Sequence, residues 1–147
     1  MSLPIILRDL DKSETESALA LSWEVFQEFE APDYTQEGIN EFYRSIHDPE
    51  YLSLLRIYGA FLQHELIGVI ATRSEGKHIA LFFVKGAYHR QGIGRKLFQL
   101  IRASCPNETI TVHSSPYAVP VYHKLGFQDT DTEQTFHGVR FTPMKLQ

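Results

Sequence analysis

An apolar run, Ile79-Ala80-Leu81-Phe82-Phe83-Val84, is followed shortly by a basic glycine loop, His89-Arg90-Gln91-Gly92-Ile93-Gly94-Arg95, and then by an amphipathic pattern of Ile93, Leu97, Phe98, Leu100 and Ile101. Strand, tight loop and helix in that order constrain this chain more than any other feature. A helix opening on glycines leaves backbone N–H groups without acceptors, and the missing Cβ lets an anion approach them closely. The loop is therefore expected to receive a phosphate, with Arg90 and Arg95 adding positive charge. Two familiar phosphate loops do not fit. The dinucleotide fingerprint needs a third glycine where Leu97 stands, and no Gly-Lys-Ser/Thr triplet is present to make a Walker loop.

The rest of the pattern places this unit in an α/β (α+β) chain. Residues 5–8 read as a short strand. A helix is expected from 13 to about 29, opened by a capping box at Ser13-Glu14-Thr15-Glu16 and carrying Leu19, Trp23 and Phe26 on one face. A second runs from about 36, with Ile39, Phe42, Tyr43 and Ile46 on one stripe, and stops before Asp48-Pro49. Strands follow at 54–62, 66–72 and 78–84, with connections short enough for antiparallel hairpins. The helix after the glycine loop ends near Cys105-Pro106-Asn107, and a strand at 109–112 comes next. A short helical segment reaches Leu125-Gly126; Pro120 requires it either to begin late or to bend. Residues 134–136 and 139–141, joined by His137-Gly138, close the chain as a hairpin running to Leu146.

With 147 residues and 43% hydrophobic content, one domain spanning residues 1–147 is expected. A net charge of -4 argues against nonspecific nucleic-acid or membrane-surface binding, so neither partner is expected. Cys105 is the single cysteine and no apolar leader opens the chain, which points to a cytoplasmic protein. The seven histidines lack the paired spacing of zinc sites, and no metal is expected.

A second constellation sharpens the reading: Ser115-Pro116-Tyr117-Ala118-Val119-Pro120-Val121-Tyr122-His123-Lys124-Leu125-Gly126-Phe127. Together with the glycine loop, it resembles the GCN5-related N-acetyltransferase family. That family combines Gln/Arg-x-x-Gly-x-Gly/Ala at the mouth of a helix with Asn-x-x-Ala-x-x-x-Tyr-x-Lys-x-Gly-Phe. Gly92 and Gly94 match the first motif; Ala118, Tyr122, Lys124, Gly126 and Phe127 match the second. His89 and Ser115 depart from it, standing where the family usually has Gln/Arg and Asn.

The resemblance implies a mixed, mostly antiparallel central sheet with helices on both faces, splayed between its fourth and fifth strands. It also implies acetyl-coenzyme A as donor and an amine as acceptor, whether a small molecule or a peptide. Contacts to the coenzyme are implied for Phe83, Val84, His89, Arg90, Gln91, Gly92, Ile93, Gly94, Arg95, Ser115 and Lys124. The pantetheine arm lies along the strand ending at Val84, and a backbone N–H near Val84 receives the oxyanion. Tyr122 is the implied proton donor to the departing thiolate.

For the base that deprotonates the amine, His113 just past the following strand and the carboxylates Glu28 and Glu30 stand open. Glu28, Glu30 and Tyr34 form an acidic and aromatic surface suited to a cationic acceptor. The same motifs also admit a coenzyme A-binding module without turnover, or a nucleotide binder. A homodimer is compatible with the fold, although no residue selects an interface.

Overall fold

A computed structural model describes residues 4–147. One continuous sheet runs through it, and its most consequential feature is the way two neighbouring strands part. The chain order is β1 (Ile5–Asp9), α1 (Thr15–Val25), α2 (Gln36–Ser45), α3 (Pro49–Ser53), β2 (Arg56–Leu62), β3 (Glu65–Arg73), β4 (His78–Val84), α4 (Ile93–Ser104), β5 (Ile110–Ser114), α5 (Val119–Lys124), β6 (Gln128–Asp129), β7 (Gln134–Phe136) and β8 (Val139–Leu146). In the sheet the strands lie in the order β1-β2-β3-β4-β5-β8-β6, with β7 paired to β8. All ladders are antiparallel except that between β4 and β5, which is parallel and joins only His78 to Thr111 and Ile79 to Val112. Beyond Ile79 the two strands diverge, as the expected splay requires.

The cause is written into β4. Between Ala71 and Thr72 of β3 the partner advances from Leu81 to Ile79, so Ala80 is an extra residue without an opposite number. Such a bulge bends its strand and reverses which face each later side chain takes. The core confirms this reversal. Ile79 packs with the α4 side of the molecule, whereas Leu81 and Phe83 pack with the α1 side although they share its parity.

Two apolar layers sandwich the sheet. On one side Leu97, Phe98 and Ile101 of α4 pack on Ile67, Ile70 and Ile110; on the other, Leu21, Val25 and Phe26 pack on Val69, Ala71 and Phe83. The α4 pattern is strongly one-sided, which is why it was legible in sequence.

The first helix differs from expectation at both ends. Its capping box uses Asp11 and Glu14, not Ser13 and Glu16: Asp11 accepts from the Ser13 N–H at 2.9 Å and Glu14 accepts from the Asp11 N–H at 3.1 Å. At the other end α-helical geometry stops at Val25, and Phe26–Glu30 form a widened π-helical turn before a 3-10 turn at Ala31–Asp33. A short helix at Pro49–Ser53, begun by the Asp48 side chain accepting from Glu50 N–H, occupies the place where the strand beginning at 54 had been expected to follow directly; that strand starts at Arg56. The Pro120 question resolves to a late start, since α5 begins at Val119 and the proline lies in its first turn.

Helix α2 and the β7–β8 turn touch at two glycines. A Cβ on Gly38 would lie 2.1 Å from the Gly138 carbonyl oxygen, a backbone atom that cannot rotate away. Replacing Gly38 with alanine is therefore expected to destabilise the protein by about 2 kcal/mol and lower Tm by about 6 °C, measured by thermal unfolding.

Candidate active site

The divergence of β4 from β5 leaves two cavities that meet end to end. One, of about 450 Å³, lies beside the glycine loop and is lined by Val84, His89, Arg90, Gly92, Arg95 and Lys124. The other, of about 350 Å³, lies between β4, β5, α2 and β8, with Tyr34, Phe42, Arg73, His78, His113 and Phe141 in its wall. Glu30, Phe82, Phe83, Ala118 and Tyr122 line both. These five residues form the junction.

At the loop, Tyr88 to Gln91 make a turn in which His89 is extended (φ -64°, ψ 151°) and Arg90 takes φ 63°, the backbone signature of type II. Gly92 follows at φ 81° and caps α4; a side chain here would meet open space, so it is the left-handed backbone that asks for glycine. The first helical hydrogen bond is Lys96 N–H to Gly92 O at 3.0 Å. The N–H groups of Gly92, Ile93, Gly94 and Arg95 have no acceptor within the described residues, and they open on the cleft beside Arg90, Arg95 and Lys124. This is a concave, positively biased site for an anion.

The backbone of β4 supplies a second element. Lys85 N–H donates to Ile67 O at 2.9 Å, so by strand alternation Phe83 and Leu81 turn their peptide groups toward β3, while those of Phe82 and Val84 face the gap. His89 uses one of them: its Nε2 donates to the Val84 carbonyl at 2.6 Å while its ring packs on Phe29 at 4.7 Å. The Val84 N–H and the Phe82 peptide groups remain available to a ligand.

At the junction stand Glu30 and Tyr122. Phe26, one turn before Glu30, is completely buried, and Glu30 continues the same helix face into the gap. Burial pushes its carboxyl up to about 7; the neighbouring Ser115 hydroxyl pulls the other way and the nearby Asp33 adds to the rise. Tyr122 is 5% exposed and packs against Phe82 and Phe127, with ring centroids at 6.0 and 5.3 Å. Burial, with the Glu30 charge beside it, raises its hydroxyl above the ordinary tyrosine range, so the phenol keeps its proton. No side-chain oxygen or nitrogen among the described residues is buried without a partner, and no protein acceptor or donor is found for the Tyr122 hydroxyl. That oxygen therefore opens on the cavity.

The other residues singled out in sequence fall as follows. Tyr34 lines the β5-side cavity, its hydroxyl donating to Arg140 O at 3.1 Å, and Arg140 in turn holds Asp33 O at 2.9 Å, which ties the α1–α2 connection down across the sheet. Glu28 lies outside both cavities, over Gly86, where a Cβ would sit 2.7 Å from its carboxylate oxygen. Gln91 turns away from the cleft, its side-chain amide donating to Ala87 O at 3.2 Å. Ser115 lines the β5-side cavity, not the loop cleft, and its Oγ accepts from Ala118 N–H at 3.2 Å. His113 lies in that same cavity toward its far end, stacked on Phe141 at 4.6 Å and edge-on to His78 at 5.1 Å. Burial and the Arg73 charge lower its pKa. Sequence reasoning missed Arg73, Glu41 and Phe42, which reach the cavity from the end of β3 and from α2. Nothing local distinguishes them, because only the splay brings these elements together.

Comparison with known proteins agrees with the geometry. Residues 30–147 match the family model described as an acetyltransferase (GNAT) domain, and the chain belongs to that family. A GCN5-related N-acetyltransferase structure from Rhodopseudomonas palustris superposes with a TM-score of 0.79 at 20% identity, covering 99% of this chain and 97% of the other. The PaiA N-acetyltransferase of Thermoplasma acidophilum, solved in complex with coenzyme A, gives 0.74 at 20% identity over 97% of this chain and 98% of that one. FeeM, an N-acyl amino acid synthase from uncultured soil microbes, gives 0.71 at 14% identity, covering 99% and 91%. A search of curated protein sequences matches none. No helix among the described residues is long and apolar enough to cross a membrane, and no three His, Cys, Asp or Glu side chains among them converge as metal ligands do.

The raised Glu30 carboxyl has a consequence for stability. The folded protein holds this proton more tightly than the unfolded chain, whose value is near 4.5, so the group favours folding below that pH and the contribution is lost as pH rises through about 7. Glu30→Gln removes the penalty at pH 8. Its expected effect there is a gain on the order of 1–2 kcal/mol, seen as a Tm about 3–6 °C higher, with no gain at pH 4.

Proposed function

We propose that the protein transfers an acetyl group from acetyl-coenzyme A to a primary amine, with residues 1–147 acting as one catalytic domain. The observation that carries this reading is the junction: a carboxyl at about 7 and a protonated phenol face the same point, where a cleft shaped for a diphosphate meets a separate cavity. The coenzyme A complex of the Thermoplasma neighbour supports the donor.

In this reading the N–H groups of residues 92–95, with Arg90, Arg95 and Lys124, hold the pyrophosphate. The pantetheine arm pairs with the free Val84 N–H, and the Phe82 N–H, at the junction, faces the thioester oxygen. A thioester carbonyl accepts the amine nitrogen and its C–S bond breaks. Glu30 takes the proton lost by the amine. An ordinary carboxylate is a poor base for an alkyl ammonium of pKa near 10, and the upward shift narrows that mismatch. Tyr122 donates to the sulfur as negative charge develops there, and its phenolate regains a proton from the Glu30 side. His113, which lines the same cavity, is the alternative base.

Tyr122→Phe tests the assignment directly. Thiol release with an amine panel is expected to fall roughly a hundredfold, while coenzyme A still protects the variant against thermal unfolding. An unchanged rate removes Tyr122 from the mechanism, and loss of coenzyme binding assigns it a structural role instead.

The acidic side of the pH profile reports on the base. Because Glu30 must be ionised, kcat/KM is expected to rise with pH along a limb centred near 7. In Glu30→Gln that limb should vanish, and its persistence would transfer the role to another group.

A further inference from the structure

The acceptor-side cavity carries opposite charge at its two ends. Glu30 stands at the junction, while the other end is closed by Arg73, His78 and His113, with Tyr51 beside them. Arg73 is half-buried and has no salt-bridge or hydrogen-bond partner among the described residues. Burial lowers the pKa of His78 and His113 and the Arg73 charge adds to the fall in both, while at Tyr51 burial raises the hydroxyl and Arg73 opposes the rise. A guanidinium in a cavity wall with no protein partner is free to pair with an anion.

The same three residues, Arg73, His78 and His113, also line a shallow outer depression with Lys77, Thr109 and Thr111. Lys77 is only loosely engaged, 3.9 Å from Glu108. The cationic end of the cavity thus borders solvent across these three side chains. The wall of the cavity also carries the apolar side chains of Leu81, Phe42 and Phe141, and a second carboxylate, Glu41, whose charge is held by Arg44. Arg73 stands opposite His78 in the ladder, four residues along β4 from Phe82 at the junction. At about 3.3 Å per residue that is roughly 13 Å of strand.

We infer that the acceptor is an amine bearing an anionic group, such as a carboxylate, at the far end of an apolar spacer, with Arg73 as the residue that selects it. The amine meets Glu30 and Tyr122, the spacer lies on Phe42 and Phe141, and the carboxylate accepts from the Arg73 guanidinium. The inference rests on the acyl-transfer reading and makes it more specific.

The test compares 6-aminohexanoate with 6-aminohexanamide, which share length and amine and differ in the anion, in a thiol-release assay with acetyl-coenzyme A. The wild-type protein is expected to favour the acid by roughly ten- to a hundredfold in kcat/KM. In Arg73→Gln the acid-to-amide ratio should fall to about one, and Arg73→Lys should recover part of it. Equal use of acid and amide by the wild-type protein, or a preference that survives Arg73→Gln, overturns the inference while leaving acyl transfer intact. If neither compound is acetylated, the acyl-transfer reading is what suffers, and binding decides this one. Protection against thermal unfolding in the presence of coenzyme A, given by the acid and not the amide and lost in Arg73→Gln, upholds it; protection by neither or by both alike rejects it.

Discussion

Everything distinctive in this molecule follows from two strands that begin as partners and then separate. β4 and β5 share two ladder positions, His78 with Thr111 and Ile79 with Val112, before the extra residue Ala80 turns β4 away. A parallel pair that stays together buries its peptide groups against each other. Here, after the bulge, the Phe82 and Val84 peptides face a gap instead. Unpaired backbone is costly inside a protein, and the gap is tolerable only because it is open to solvent and ligand. The two apolar layers compensate by holding β4 firmly from both faces: Leu81 and Phe83 enter the α1 side, while Phe82 and Val84 pack against the α4 side.

The same geometry sets the chemistry at the junction. Low dielectric penalises whichever form of a group is charged, so one environment drives Glu30 and Tyr122 in the same direction, toward holding their protons. The two differ in proton chemistry because they start from different values. A carboxyl raised to about 7 still ionises at neutral pH and can accept, whereas a phenol raised from 10 stays neutral and can only donate. Glu30 in this position opposes folding at neutral pH, a cost characteristic of residues placed for function and not for packing.

Much of this arrangement was legible in the sequence, and the exceptions have physical reasons. The strand at His78–Val84 was bounded correctly because its apolar run is uninterrupted and the glycines that follow it are unambiguous. The hairpin at Gln134–Phe136 and Val139–Leu146 was announced by His137-Gly138, both of which take positive φ. The helix start at Ser13 was misplaced because Asp11-x-x-Glu14 and Ser13-x-x-Glu16 overlap, and only the three-dimensional turn decides between them. The two-residue strand Gln128–Asp129 was not seen at all, since a pair so short carries no alternation. Glu30 could be named in advance but not ranked above Glu28. Their separation into a junction residue and a side chain resting over Gly86 depends on the π-helical turn, which leaves no mark in composition.

His89 shows how a departure from a motif can preserve what the motif is for. A long polar side chain at this position would be free to reach outward. The imidazole instead turns back, donates to the Val84 carbonyl and packs on Phe29, so the turn at Tyr88 to Gln91 is fastened to the last peptide of β4. This bond satisfies a carbonyl that the splay would otherwise leave bare, and it fixes the height of the loop relative to the strand. The distance from the free N–H groups at residues 92–95 to the free peptides of Phe82 is set by that attachment. A ligand gripping both must match it, which makes the loop and the strand one recognition surface even though α4 and β4 belong to different layers of the fold.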